Sequence, residues 1–355
     1  MRWIDMHCDT LSEIAKRRKQ DKNIRESLRR NYLSVDIERL KEAGAVAQFI
    51  ACYVNVAEYG VYDDRSKDST LSDRESAERW DAAYGAVLEM IRQAHDETGQ
   101  DFLIAKTSGD IPSDDEKDSS ERTVAGVLTV EEGGVLNGQL SRLDALYERG
   151  VRLMTLTWNY ANCIGYPNSR DGAVMERGLT DFGIRTVERM NGLGMIIDVS
   201  HLSDGGFWDC IRHSRLPVAA SHSNARSLCP HPRNLSDEML HALGANGGVA
   251  GLNFYSAFLT DGAGTAREET LSGVRAGVER IAAHAVWMIG KAGEDAVALG
   301  TDFDGFDPDS LPEGVRGVED MELVWEAFQR KGITPRQLDK IVYGNVRRVI
   351  EDVWR

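Results

Sequence analysis

Eight short runs rich in β-branched and apolar residues recur along the chain, separated by longer segments in which apolar residues follow helical spacing. They are Trp3 to His7, Val46 to Val54, Val124 to Val130, Arg152 to Trp158, Met195 to Ser200, Pro217 to Ser221, Gly248 to Phe254 and Ala296 to Thr301. Strands that alternate with helices pair in parallel, because each helix returns the chain to the same end of the sheet. Eight such units are the number that closes an α/β fold into a (β/α)8 TIM barrel. The 355 residues suit one barrel, and no internal repeat, low-complexity tract or linker divides them, so 1–355 is expected to be a single barrel domain.

The intervening segments carry helix start and stop signals. Ser236 ahead of Asp237 and Glu238 supplies a hydroxyl cap and first-turn carboxylates before Met239 and Leu243 turn inward. Thr334, Pro335 and Gln337 form a capping box with proline at the first helical position. Helical spacing runs over Asp181 to Gly192, with Gly192 as the stop, and over Gly273 to Lys291. Asp110 to Arg122, acidic and serine-rich, is expected to be a solvated loop, and a second long loop spans Asn159 to Gly178.

Apolar residues make up 42% of the chain, enough for a large core, so disorder is excluded for most of it. The formal charge of −15 argues against nucleic acid or anionic lipid as a partner, since repulsion would have to be overcome locally. No apolar run approaches the roughly 20 residues that cross a bilayer, and the start of the chain lacks the apolar stretch of a secretory signal. A cytoplasmic location is expected. Five scattered cysteines, none spaced as Cys-x-x-Cys, suit reduced thiols, with Cys8 filling a gap at a strand end.

Ionisable residues sit at the carboxyl ends of five of the eight runs. They are His7-Cys8-Asp9, Glu131-Glu132-Gly133-Gly134, Asp198-Val199-Ser200-His201, Ser221-His222-Ser223 and Thr301-Asp302-Phe303-Asp304-Gly305. A parallel barrel gathers those ends into one rim, where groups distant in sequence converge. His7 and Asp9, two apart on an extended strand, share a side, and imidazole and carboxylate are both zinc ligands. His201 and His222 each follow an apolar run, whereas His95, His213, His241 and His284 fall in helical segments and are expected to be structural; His231, in a loop, is left open. Glu132, followed by two glycines that permit a sharp turn, has room to reach between two cations. The plainer alternative makes Glu131 and Glu132 a helix-start or solvent-facing acidic pair. Convergence of five strand ends favours the metal reading.

These residues resemble the membrane (renal) dipeptidase family, peptidase family M19. The likeness runs through Asp5-Met6-His7-Cys8-Asp9, Glu132-Gly133-Gly134, Leu143 with Tyr147 and Gly150-Val151-Arg152, Met190 to His201, Ser221-His222-Ser223, Pro232-Arg233-Asn234, Asn253-Phe254-Tyr255, Thr301 to Gly305 and Gly344-Asn345. The resemblance implies a metallo-dependent, amidohydrolase-like barrel with two zinc ions. It gives one ion to His7 and Asp9 and the other to His201 and His222, with Glu132 bridging. It also implies a homodimer and the hydrolysis of dipeptides, including those with a D-residue at the carboxyl side, by a hydroxide shared between the metals.

By the same resemblance Asp302 is the acid that handles a proton during attack, with Asp304 as the other candidate. Arg233 and Tyr255 fall where the family binds substrate. Where the mammalian pattern has a histidine after the fourth strand, this chain has Trp158 and Asn159, which are grouped here with the substrate-binding residues. Val135 replaces the histidine that usually follows Glu-Gly-Gly, and Glu131 replaces an aliphatic residue.

Two other functions stay open: a barrel amidohydrolase acting on a non-peptide amide, and a metal-binding protein without hydrolytic activity. The first kind commonly opens with His-x-His and recruits a modified lysine after strand four, and neither feature is present. The second is suggested by Trp158 and opposed by the joint presence of all five ligands and Asp302.

Overall fold

The computed structural model describes residues 1–61, 73–112, 122–260 and 276–354. Nine strands are found there: β1 (Trp3–Cys8), β2 (Ala45–Tyr53), β3 (Phe102–Ile104), β4 (Val124–Glu131), β5 (Val151–Thr155), β6 (Ile196–Asp198), β7 (Val218–Ala220), β8 (Val249–Leu252) and β9 (Val297–Leu299). All pair in parallel. The order runs β2-β1-β9-β8-β7-β6-β5-β4, and pairing of β2 with β4, from Ala47 opposite Ala125 to Tyr53 opposite Glu131, closes eight strands into a (β/α)8 TIM barrel. Each of the eight expected runs overlaps one barrel strand, although β1 and β4 end, and β2 and β5 start, one residue outside their runs.

The ninth strand, β3, was not foreseen. It flanks the early part of β4, with Phe102 opposite Val124 and Ile104 opposite Gly126. Three residues are too few to show a period, and only the neighbouring strand reveals them as a strand.

Every residue of β1 and of β4 to β9 is buried. Helices cover the outer face and side chains fill the inner one, which explains why the strands read as unbroken apolar runs rather than alternating ones. Two carboxylates interrupt that apolar interior and stitch strands together. Asp5 accepts from Gln48 Nε2 at 2.8 Å, Thr301 Oγ1 at 2.7 Å and Thr301 N at 2.8 Å, tying β1 to β2 and to the end of β9. Asp198 plays the same part for β5, β6 and β7. Gly251 and Gly300 lie against the Ser221 carbonyl, where any Cβ would collide with backbone, so these two glycines let β7, β8 and β9 draw together.

The cap signals act as expected at Ser236, whose hydroxyl accepts from Met239 N at the start of Asp237–Ala245, and at Thr334, whose capping box with Gln337 opens Pro335–Asp339. The helix Asp181–Leu193 runs past Gly192 and ends at Gly194, which takes the left-handed conformation (φ 79°) and donates to Met190 O. Gly192 stays helical because the chain turns only where an αL residue closes the last turn. The helix foreseen from Gly273 starts at Val278 and runs to Ala292, with 273–275 outside the described residues. Of the expected loop 110–122, residues 113–121 lie outside them too. The loop 159–178 contains one short helix, Gly172–Met175, capped by Asp171. Asn345 of the Gly344-Asn345 pair donates to Glu294 O and Val297 O, both at 2.8 Å, anchoring the last helix to the start of β9. Among the described residues no helix is long and apolar enough to cross a membrane.

Candidate metal centre

The carboxyl ends of β1, β4, β6, β7 and β9 place their ionisable residues in one buried cluster. His7 Nε2 lies 3.2 Å from Asp9 Oδ2, 3.4 Å from Glu131 Oε2 and 3.8 Å from Asp302 Oδ1. His201 Nε2 lies 2.9 Å from Glu131 Oε1 and 3.0 Å from His222 Nε2, which is itself 3.7 Å from Glu131 Oε1. Two overlapping groups, His7 with Glu131 and His222, and His7 with Asp9 and Asp302, have the spacing of metal-ligand sets.

Glu132, the carboxylate expected between the histidines, is not there; Glu131 is. Glu131 ends β4 paired with Tyr53 and Thr155, and its two oxygens face His7 on one side and His201 on the other. Glu132 leaves the strand with φ 111° and turns its carboxylate into the following loop. There it accepts from Gly134 N at 2.7 Å, Asn162 Nδ2 at 2.6 Å and Trp158 N at 3.3 Å. The two glycines make room for this turn, since a Cβ on Gly134 would meet Glu132 Oε1. One signal for Glu131 was available in the sequence: Thr129, two residues earlier, is the one other polar residue of β4 and shares its side of the strand.

The other expected residues are distributed as follows. Asp302 faces the cluster and accepts from Asn253 Nδ2 at 2.8 Å, whereas Asp304 is occupied by Thr10 Oγ1 at 2.5 Å and Ser34 N at 2.8 Å. Both acids have positive φ, 61° and 69°, so the turn after β9 splits their directions. Arg233, buried, brings Nη2 to 2.9 Å from His201 Nε2 and 3.4 Å from His222 O, with its guanidinium 5.4 Å from the Phe258 ring. Tyr255 is half-buried and stacks with Phe258 and Phe306, each at 4.8 Å, beside that guanidinium. Asn159 Oδ1 lies 3.2 Å from His201 Nδ1, and the Trp158 ring lies 6.4 Å from the His201 ring and 4.9 Å from Tyr53. His231 is a loop support, its Nδ1 accepting from Arg233 N at 3.2 Å. Sequence reading missed Asn162 and Asn224 and gave no role to Asn234 and Asn253, which it named only within the family likeness; their amides hold the loops at this rim. Asn234, for example, donates to Cys229 O and Phe258 O, both at 2.9 Å.

Burial dominates the electrostatics. Desolvation raises Asp302 to about 7 and Asp9 to about 6, with the negative neighbours Glu131 and Asp9 adding to the effect at Asp302. Glu131 is also desolvated, but His7 and His201 outweigh burial and hold its carboxyl well below the usual range. His201 falls to about 4 through desolvation and the Arg233 charge, and His222 is lowered too, so both present neutral rings.

The donor set suits divalent cations of the zinc type. Three imidazoles and the carboxylates of Asp9, Glu131 and Asp302 converge with a single guanidinium among them. The Nε2 atoms of His201 and His222 are turned toward each other, an arrangement that favours a cation shared with them. Asp9 Oδ1 and His7 Nδ1 are buried without a hydrogen-bond partner. Nitrogen and carboxylate oxygen are the ligands of catalytic zinc sites.

A closed parallel barrel with this cluster at its carboxyl mouth defines a metal-dependent hydrolase. The chain belongs to the membrane dipeptidase family, peptidase family M19, whose profile matches residues 1–355, and it is accordingly a metallo-dipeptidase acting on peptides. Among its relatives, the uncharacterized protein in the pqqA 5′ region of Klebsiella pneumoniae is 36% identical over 265 residues, covering 71% of this chain and 93% of its own. An uncharacterized dipeptidase of Schizosaccharomyces pombe is 29% identical over 326 residues, 88% of this chain and 71% of its own. The crystal structure of dipeptidase AC, a metallopeptidase of family M19, superposes with a TM-score of 0.79 at 25% identity, covering 100% of this chain and 99% of its own. A metallopeptidase from Rhodobacter sphaeroides, solved with a phosphinate mimic of L-Ala-D-Ala, shares the fold with a TM-score of 0.77 at 24% identity over 100% of this chain and 99% of its own.

Proposed function

We propose that the enzyme is a two-zinc dipeptidase in which His7 and Asp9 hold one ion, His201 and His222 hold the other, and Glu131 serves both. The observation that carries this reading is the position of the Glu131 carboxylate, with one oxygen 3.4 Å from His7 Nε2 and the other 2.9 Å from His201 Nε2. Zinc bound there would supply Lewis acidity, bringing the pKa of a water toward neutrality and polarising the peptide carbonyl.

The chain's own residues do the rest. Asp302, buried, held by Asn253 and pushed up to about 7 by desolvation, is tuned to take a proton from the attacking water and return it to the leaving amine. Arg233 pairs with the carboxylate at the substrate's carboxyl end, which limits the length of peptide that fits. Its Phe258 neighbour and the Tyr255 ring shield that pair from water, and Trp158 with Asn159 forms the opposite wall beside His201. Glu132 is a structural carboxylate that fixes the loop after β4 and the backbone of Trp158.

Dipeptides, including those with a D-residue at the carboxyl side, are the substrates this arrangement fits. The same reading takes 1–355 as one catalytic domain of a cytoplasmic homodimer without nucleic-acid or membrane partners. The test is metal content per chain together with turnover on a panel of L,L and L,D dipeptides. Zinc uptake with turnover that disappears in Glu131→Gln is expected; zinc-loaded protein inert on the whole panel would refute the proposal.

A further inference from the structure

Asp198, fully buried at the end of β6, receives five donors. Its Oδ2 accepts from Thr155 Oγ1 and from Ser221 Oγ, both at 2.6 Å. Its Oδ1 accepts from Ser200 Oγ at 2.6 Å, Ser221 N at 2.8 Å and Ser200 N at 3.1 Å. A carboxylate so surrounded acts only as an acceptor. The single hydroxyl hydrogen of Ser221 is therefore committed to Asp198. Ser200 spends its hydrogen on the same group, and its oxygen accepts from His222 N at 3.1 Å.

The Ser221 hydroxyl has two further neighbours, Ser200 Oγ at 3.1 Å, whose own hydrogen is already directed to Asp198, and His222 Nδ1 at 2.7 Å. With its own hydrogen pointing to Asp198, the Ser221 oxygen can only accept there, so His222 Nδ1 must carry the ring hydrogen. The lone pair is left on Nε2, the atom that faces His201 Nε2 and Glu131 Oε1.

We propose that Asp198 and Ser221 are positioning residues that lock the tautomer of His222, through the chain Nδ1–H to Ser221 Oγ–H to Asp198 Oδ2, so that Nε2 stands ready for a cation before one arrives. Neither of the other two histidines is tied through Nδ1 to a buried carboxylate. His201 Nδ1 meets the Asn159 amide in a rim loop at 3.2 Å, and His7 Nδ1 has no partner. His222 is thus the one of the three whose Nδ1 is fixed by a buried relay ending on a carboxylate. Hydrogen bonds that fix a ligand imidazole typically change metal affinity by 10–100-fold.

The consequence for metal affinity rests on the two-zinc reading, but the tautomer itself does not. Asp198→Asn provides a polarity test. The backbone N–H groups of Ser221 and Ser200 cannot turn, so they hold the new amide's oxygen at the Oδ1 position and leave its NH₂ facing Ser221 and Thr155. The Ser221 hydrogen is then displaced toward His222 Nδ1, and the ring hydrogen moves to Nε2.

The experiment is 15N NMR of the full-length, chelator-treated protein labelled at histidine, with His222 assigned from its loss in His222→Gln, followed by zinc affinity measured by chelator competition. Expected are a protonated Nδ1 and bare Nε2 in wild type, the reverse in Asp198→Asn, and zinc affinity lowered about 10–100-fold in Asp198→Asn and Ser221→Ala. A wild-type His222 with hydrogen on Nε2 overturns the proposal even if neither variant folds. So does an Asp198→Asn protein of unchanged tautomer. Wild-type protein that takes up no zinc would overturn the two-zinc reading instead, leaving the NMR result to decide the lock.

Discussion

Glu131 and Glu132, consecutive in the chain, send their carboxylates in different directions: Glu131 Oε1 lies 2.9 Å from His201 Nε2, while Glu132 Oε1 accepts from Gly134 N at 2.7 Å. Their neutral variants should therefore fail differently. Glu131→Gln is expected to lose zinc and to lose turnover by more than the roughly 10–100-fold typical of residues that only support a ligand, with its fold intact. Glu132→Gln should retain zinc but lose about 1–3 kcal/mol of stability, because an amide cannot accept from all three donors that surround the native carboxylate. Metal analysis and denaturant unfolding of the two purified variants separate these outcomes.

Asp302 should be separable from the ligands in the same way. Its Oδ1 is 3.8 Å from His7 Nε2, farther than either Asp9 or Glu131, and its Oδ2 is held by Asn253. Asp302→Asn keeps that amide contact and removes the proton acceptor. Zinc content close to wild type with kcat reduced about 10²–10⁴-fold is the expected result, read from metal analysis and steady-state kinetics.

Arg226 controls the loop that carries Arg233. Its guanidinium grips both oxygens of Asp204, at 2.7 and 2.8 Å, and donates to Asn234 O at 2.7 Å and Pro232 O at 3.2 Å, bracketing Arg233 on both sides. Loosening this bracket should misplace the group that receives the substrate carboxylate. Arg226→Ala is expected to raise KM about tenfold, corresponding to about 1.4 kcal/mol, with a smaller effect on kcat. A change confined to kcat would count against the assignment of Arg233.

His284 predicts an acid-sensitive term in stability away from the metal centre. Nδ1 accepts from Ala225 N at 3.1 Å, and Nε2 lies 3.1 Å from Leu259 O, so the ring fits its site in the neutral form. Desolvation lowers it from 6.5 to about 4, with Arg280 acting in the same direction. The unfolded chain then binds the proton more readily, so stability rises with pH across this window. The contribution is complete above 6.5, is lost as pH falls toward about 4, and levels off below that. Chelator-treated wild type and His284→Gln should show a difference in unfolding free energy that shrinks over that range by up to a few kcal/mol. A pH-independent difference would show that the ring is not held neutral.

Much of this protein was legible in one dimension. Each of the eight barrel strands overlaps one of the eight apolar runs, with ends that differ by a residue or more, because strands buried on both faces are largely apolar. His7, Asp9, His201, His222 and Asp302 could be picked out because a parallel barrel brings strand ends together whatever their distance in sequence. The caps at Ser236 and Thr334 could also be read directly, since a cap is satisfied within one helical turn.

What the chain order left undecided were choices between neighbours. Whether Glu131 or Glu132 faces the histidines depends on where β4 ends and on the φ of 111° that turns Glu132 away. Whether Gly192 or Gly194 ends its helix depends on which residue reaches the left-handed conformation. Which nitrogen of His222 carries hydrogen depends, in the proposed lock, on Asp198 acting through Ser221, and Asp198 is on a strand the sequence does not place beside it. Composition and period determine which segments are buried, because burial is a property of a whole segment. The direction of a single side chain depends on one dihedral angle and on partners brought close only when the barrel closes, and so it was the tertiary structure that decided it.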